Sequence, residues 1–255
     1  MMLLKMLPIA LALNLLLDSV QASDQPSRYT ELLDYVQEGP DQGRTASCLF
    51  VASTGAMELI ANKKHGLKNP MAYGKYDLAE SFLMHAPVHT RRGKNFFEIQ
   101  VLKFNIGYGI HIDDWPFDAW DDLGPIRRVW NSRDWRELKK VKLPNVETVP
   151  LFRLGNKWSM NVLEFNHIQQ VKKALLTYRA PIMVNYNDNG FWHVVLIVGY
   201  DDKLPGNCYQ ITKKECETTT GSFYIRDSFG RHTELRDYDW FRVKANAAII
   251  IKENE

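Results

Sequence analysis

From Cys48 to Lys64, apolar residues are interleaved with small ones, and a basic last turn precedes Gly66, so the pattern predicts a mostly buried helix. Apolar positions at helical spacing predict two shorter helices over residues 78–85 and 96–104, and an amphipathic one over 166–178. After that the period changes. Residues 182–186, 194–200, 222–225 and 247–251 are short β-rich runs bounded by Gly, Asn, Asp or Pro. A helical N-terminal half followed by a β-rich C-terminal half predicts an α+β protein with a cleft between the two. Residues 109–159 carry no assignable period. Five of the seven tryptophans (Trp115, Trp120, Trp130, Trp135 and Trp158) lie there among the pairs Asp113-Asp114 and Asp121-Asp122. Such a density of aromatics predicts a packed satellite core, and no long-period repeat or linker marks it as an independent domain.

The first 22 residues combine a basic Lys5, an apolar run over 7–17 and small side chains at Val20 and Ala22, which predicts a cleaved signal peptide. The run is shorter than the ~20 residues that span a bilayer. Residues 23–255 are then expected to form one domain, in a secreted, periplasmic or lysosome-like compartment. A formal charge of +2 argues against a nucleic-acid or membrane partner, and a monomer is expected. Arg127-Arg128 and the basic turn 139–142 read as solvated faces.

Export implies an oxidising compartment. Of three cysteines, Cys208 and Cys216 flank a polar loop and are plausible disulfide partners, which leaves Cys48 over. Ser47 stands at the N-cap position, so the Cys48 thiol falls in the first turn, where free amides and the helix dipole favour a thiolate. A thiol nucleophile needs a base, a group to orient that base, and donors for the oxyanion. His193 opens the run HVVLIVGY and Asp227 closes FYIRD; if those strands pair antiparallel, imidazole and carboxylate meet at one rim. Gln42, six residues before Cys48, can offer its side-chain amide beside the Cys48 N–H.

DQGRTASCLFVAS, from Asp41 to Ser53, resembles the active-site segment of the papain family, with Gln, five residues, then Cys at a helix start. FWHVVLIVGYDD is similar to that family's histidine strand, FYIRDSFG to its Asn-Ser-Trp-Gly segment, PIMVNYN to the strand before the histidine, and YDLAESFLMHA to its second helix region. The resemblance implies a two-lobed papain-like fold with a helical N-terminal lobe and an antiparallel β-rich C-terminal lobe. It further implies that Gln42 lines the oxyanion hole, Cys48 is the nucleophile, His193 the base and then acid, and Asp227 the orienting group. The implied reaction cleaves a peptide or protein substrate through a thioester, with no metal or organic cofactor.

Several positions depart from the family pattern. Leu49 follows the nucleophile where Trp is usual, Thr45 replaces a cysteine, Asp227 an asparagine and Phe229 a tryptophan; Arg91-Arg92-Gly93 is the nearest match to the glycine wall. With only 18 residues between Ala22 and Asp41, the family's long inhibitory propeptide is expected to be absent, and 109–159 or the 208–216 loop is expected to cover part of the cleft. His85 and His89 have metal-ligand spacing, but Pro87 breaks the helix between them, and the acidic residues of 113–122 lack the spacing of a calcium loop. A thiol acyltransferase, or a binding module that has lost turnover, is the alternative to a peptidase.

Overall fold

A computed structural model describes residues 25–43, 47–71, 74–85, 96–114, 138–153, 165–188, 190–204, 221–230 and 233–254. A two-residue strand, β1 (Arg28–Tyr29), and a 3-10 turn (Glu31–Tyr35) lead to the long helix α1, Cys48–Lys64. Two short helices follow, α2 (Glu80–His85) and α3 (Phe96–Leu102), the latter running into a second 3-10 turn at Lys103–Ile106. The strands β2 (Tyr108–Ile110) and β3 (Lys140–Lys142) form a small antiparallel pair. The C-terminal half holds β4 (Val146–Arg153), α4 (Phe165–Tyr178), β5 (Ile182–Asp188), β6 (Phe191–Asp201), β7 (Ser222–Arg226), β8 (Glu234–Asp237), α5 (Tyr238–Lys244) and β9 (Ala245–Glu253).

The larger sheet runs β4-β9-β5-β6-β7-β8, with β1 added to β6, and its pairings are antiparallel. β6 is central and buried for nine successive residues, as its unbroken apolar run predicts. Gly199 sits where β1 crosses it: a Cβ there would lie 2.6 Å from the Tyr29 carbonyl oxygen, so only glycine admits that strand. Fourteen residues of α1 are buried, on every side of the helix, because the chain packs around it. Leu49, Ala56 and Leu59 of α1 share one core with Val195 and Ile197 of β6 and Ile225 of β7.

The antiparallel α+β architecture agrees with the expectation, and the boundaries differ by a few residues. The predicted helix over 78–85 begins only at Glu80, because Leu78 is held in an isolated bridge to His111. The helix expected over 96–104 tightens to 3-10 after Leu102 and stops at Gly107, whose φ of 91° suits glycine. Within 109–159, strands stand where no period was evident: the end of β2, and all of β3 and β4. The five tryptophans, the 208–216 loop with Cys208 and Cys216, Arg91 to Gly93, His89 and residues 1–22 lie outside the described residues. So do any cover over the cleft formed by those segments and any disulfide between those two cysteines. No helix among the described residues is long and apolar enough to cross a membrane.

Candidate active site

Cys48 is the first residue of α1 and is nearly buried, at 9% exposure. Ser47 occupies the N-cap position, but its hydroxyl makes no capping hydrogen bond; instead its carbonyl accepts from the N–H of Phe50 at 2.8 Å and of Val51 at 3.0 Å. The thiol therefore sits at the positive end of a helix dipole, beside first-turn amides that lack an intrahelical acceptor.

β6 pairs antiparallel with β7, with Leu196 opposite Arg226, so the start of one strand lies beside the end of the other. His193 near the first end and Asp227 just past the second are thereby brought together. His193 Nε2–H donates to Asp227 Oδ1 at 2.6 Å, and both side chains are almost wholly buried. The Ser228 N–H donates to the same oxygen at 2.7 Å, fixing the carboxylate. With Nε2 committed, Nδ1 is the buried ring nitrogen left without a hydrogen-bond partner among the described residues, and Cys48 acts on the imidazole electrostatically.

Burial by itself would lower the imidazole's pKa, but the hydrogen bond and charge of Asp227, joined by Cys48, outweigh it and raise the group to about 9. Burial pulls Asp227 the other way; His193, the Ser228 amide and Arg236 nevertheless hold its carboxyl below the ordinary range. Three aromatic rings frame the imidazole. Phe229 stacks on it at 5.3 Å and 17°, Tyr186 meets it edge-on at 5.3 Å from the opposite position of β5, and Phe191 stacks more loosely at 6.3 Å. Phe229 thus takes a shielding place over the imidazole–carboxylate bond.

Gln42 reaches the site by backbone pairing. Its N–H donates to the Ser228 carbonyl at 2.8 Å, Gly230 N–H donates to the Pro40 carbonyl at 3.3 Å, and Asp41 bridges to Phe229. The Gln42 side chain is buried, and Gly43 adopts a left-handed φ of 57°. Gln42, Cys48, His193 and Asp227 are thus gathered from three segments, with the stretch from 44 to 46 outside the described residues.

One functional group has no counterpart in the sequence reading. Arg226, the last residue of β7 and 2% exposed, sends its guanidinium beneath the site. Nε donates to the Gln37 carbonyl at 2.8 Å, Nη1 to the Val51 carbonyl at 3.1 Å and Nη2 to Glu58 Oε2 at 3.1 Å. Glu58 Oε1 accepts in turn from the Leu78 N–H at 2.9 Å. A single cation thereby ties the strand of Asp227 to the helix of Cys48 and the loop leading to Gln42. Gly55 makes the room: a Cβ there would stand 1.9 Å from Nη1. A glycine in mid-helix was the available signal, since that position costs ~1 kcal/mol relative to alanine and calls for a packing reason.

No protein-family profile matches the chain, and no curated protein matches it in sequence. Solved structures do. The chain is similar in fold to the bromelain protease from Ananas comosus in complex with the E64 inhibitor, at a TM-score of 0.56 and 13% identity over 90% of this chain and 100% of that one. It is similar to digestive procathepsin L 3 of the Tenebrio molitor larval midgut, at a TM-score of 0.56 and 15% identity over 91% of this chain and 72% of that one. It is similar also to the clostridial cysteine protease Cwp84, at 0.53 and 12% over 90% of this chain and 59% of that one. The fold is papain-like.

Proposed function

We propose that the chain is a divergent papain-like cysteine peptidase, exported after loss of residues 1–22, that hydrolyses peptide bonds in peptides or proteins. One observation carries the reading: a buried imidazole that bonds a buried carboxylate through Nε2 and is coupled electrostatically to the thiol at a helix N-terminus. In the proposed cycle Cys48 passes its proton to His193, and the sulfur attacks the substrate carbonyl. The oxyanion that forms is met by the Cys48 N–H and the Gln42 side-chain amide. His193 returns its proton to the leaving amine, the C–N bond breaks and a thioester remains. A water, deprotonated by His193, then attacks the thioester and releases the acid, restoring the thiol. Asp227 keeps the ring in register and offsets its positive charge throughout.

The carboxylate gives this site a property that an amide would not supply. An amide can orient imidazole, but a carboxylate also stabilises imidazolium, which agrees with the raised value of about 9 for His193. Turnover of a fluorogenic peptide library tests the function. Cleavage by the wild-type chain that is lost in Cys48→Ala supports it. A folded wild-type chain that turns over no peptide points to a silent binding module, and transfer of the acyl group to an added amine in preference to water points to an acyltransferase.

A further inference from the structure

At the far end of α1 from Cys48, about 25 Å away for 17 helical residues, lies a pocket of ≈ 490 Å³. Lys64, His65, Lys75, Lys139, Lys140 and Lys142 line it, and no acidic residue does so among the described residues. They come from three separate parts of the chain: the end of α1, the turn before Leu78, and β3 with the residue before it. The basic turn that reads as a solvated face in sequence is therefore half of a concave cationic surface. β3 alternates exposed, buried, exposed, so Lys140 and Lys142 project from one side while Val141 packs beneath. Buried Tyr76, Val141 and Leu143 form an apolar floor, and His65 stacks on Tyr76 at 5.2 Å and 15°.

Two of these cations have carboxylate partners. Lys64 pairs with Glu253, and Lys139 lies 4.0 Å from Asp113. Lys64 also complements the negative end of α1. Lys75 and Lys140 instead lean over the rings of Tyr76 at 5.1 Å and Tyr108 at 5.2 Å, and Lys142 has no ion pair among the described residues. Like charges held together repel. On a chain of net charge +2, such a concentration is locally unfavourable, and a bound anion relieves it. The volume falls within the ~300–1,000 Å³ typical of small-molecule sites.

We infer that this pocket binds a small multivalent anion, with clustered phosphate or sulfate groups carried on a compact body, at a site remote from the catalytic cleft. The lysines meet the charged groups and the apolar floor meets the body. Isothermal titration calorimetry on the full chain at low salt tests this, with inorganic tripolyphosphate and sucrose octasulfate as separate probes. Saturable one-to-one binding of either probe is expected, weakening as salt rises, and the preferred probe distinguishes phosphate from sulfate chemistry. Lys75→Ala/Lys140→Ala/Lys142→Ala removes three exposed cationic heads and should weaken binding by at least about 100-fold in the folded variant, since charge-assisted hydrogen bonds of this kind are each worth roughly a factor of ten. An Arg28→Ala/Arg153→Ala control, on other surfaces, should bind like the wild type. No binding of either probe by the folded wild-type chain, or equal binding by the triple variant, overturns the inference. Neither readout depends on peptide turnover.

Discussion

At Asp227 the orienting group carries a charge, and the effect of that charge can be separated from the effect of position. Asp227→Asn keeps the hydrogen-bond acceptor for His193 Nε2 but removes the ionic hold on imidazolium. Activity should persist in this variant while the alkaline limb of kcat/KM, set near 9 by His193, moves towards neutrality. Asp227→Ala loses both effects and should cost roughly 10²–10⁴-fold in kcat/KM. Full pH–rate profiles of the three proteins decide the matter; an unmoved alkaline limb in the asparagine variant would show that the charge does not govern the imidazole. The four residues named from sequence were legible because each has a distinctive chemistry at a recognisable place: a cysteine at a helix start, a histidine opening an apolar strand, an acid closing another, and a glutamine six residues upstream of the thiol. Arg226 was not legible in this way. At the end of a strand an arginine reads as a solvated residue, and its partner Glu58 is 168 positions away, across a contact that only the fold creates.

Among the elements, α1 and β7 have to keep a fixed relation, and Arg226, Glu58 and Gly55 together set it. Burial holds the Glu58 carboxyl well above its ordinary range, so without Arg226 it takes up a proton, and the cost is that of the buried acceptors of Arg226 left unpaired, ~1–3 kcal/mol each. Arg226→Met should therefore lower the melting temperature strongly and reduce kcat/KM even in the fraction that folds. Gly55→Ala is the more discriminating change. In an ordinary helix interior it gains about 1 kcal/mol; here the methyl group meets the guanidinium, and a loss of ~1–3 kcal/mol is expected instead. Chemical denaturation measures the sign, and a stabilised Gly55→Ala would contradict the proposed packing. Other elements escaped the sequence for physical reasons. β4 carries Pro150 and a register shift before Phe152, which spoil its alternation, and it lies at the edge of the sheet, where proline is tolerated. β8, Glu-Leu-Arg-Asp, is a short charged strand at the opposite edge, and charge there protects the sheet from further pairing at the expense of any apolar signal.

For the whole molecule, the perturbed groups combine into a stability profile. His193 is raised from 6.5 to about 9, so its contribution is complete below pH 6.5 and is lost as pH rises through 9. Glu80 is raised from 4.5 to about 7, first by burial, with Asp77 adding to the rise and Arg226 opposing it. An acid kept protonated by the fold makes stability fall as pH climbs from 4.5 to 7. Asp227 works in the opposite sense: its depressed value stabilises the fold above pH 3.8, and that contribution is lost on further acidification. Lys103, lowered from 10.5 to about 8 by burial, adds stability above pH 8 and there offsets the loss from His193. The melting temperature should therefore peak at acidic pH, between the 3.8 of a free Asp and the 4.5 of a free Glu, and decline to about 8. Glu80→Gln should flatten the slope between 4.5 and 7, and His193→Ala the slope between 6.5 and 8. A peak at alkaline pH in the wild type would contradict both assignments.

The central claim is that the sulfur of Cys48 owes its reactivity to the imidazole of His193, and the pH dependence of its modification by a thiol-directed epoxide tests this most directly. The account predicts rapid adduct formation at Cys48, located by peptide mass spectrometry, from weakly acidic pH to about 8, and a rate at least ~100-fold lower in His193→Ala. Equal rates in the two folded proteins across that range would contradict it.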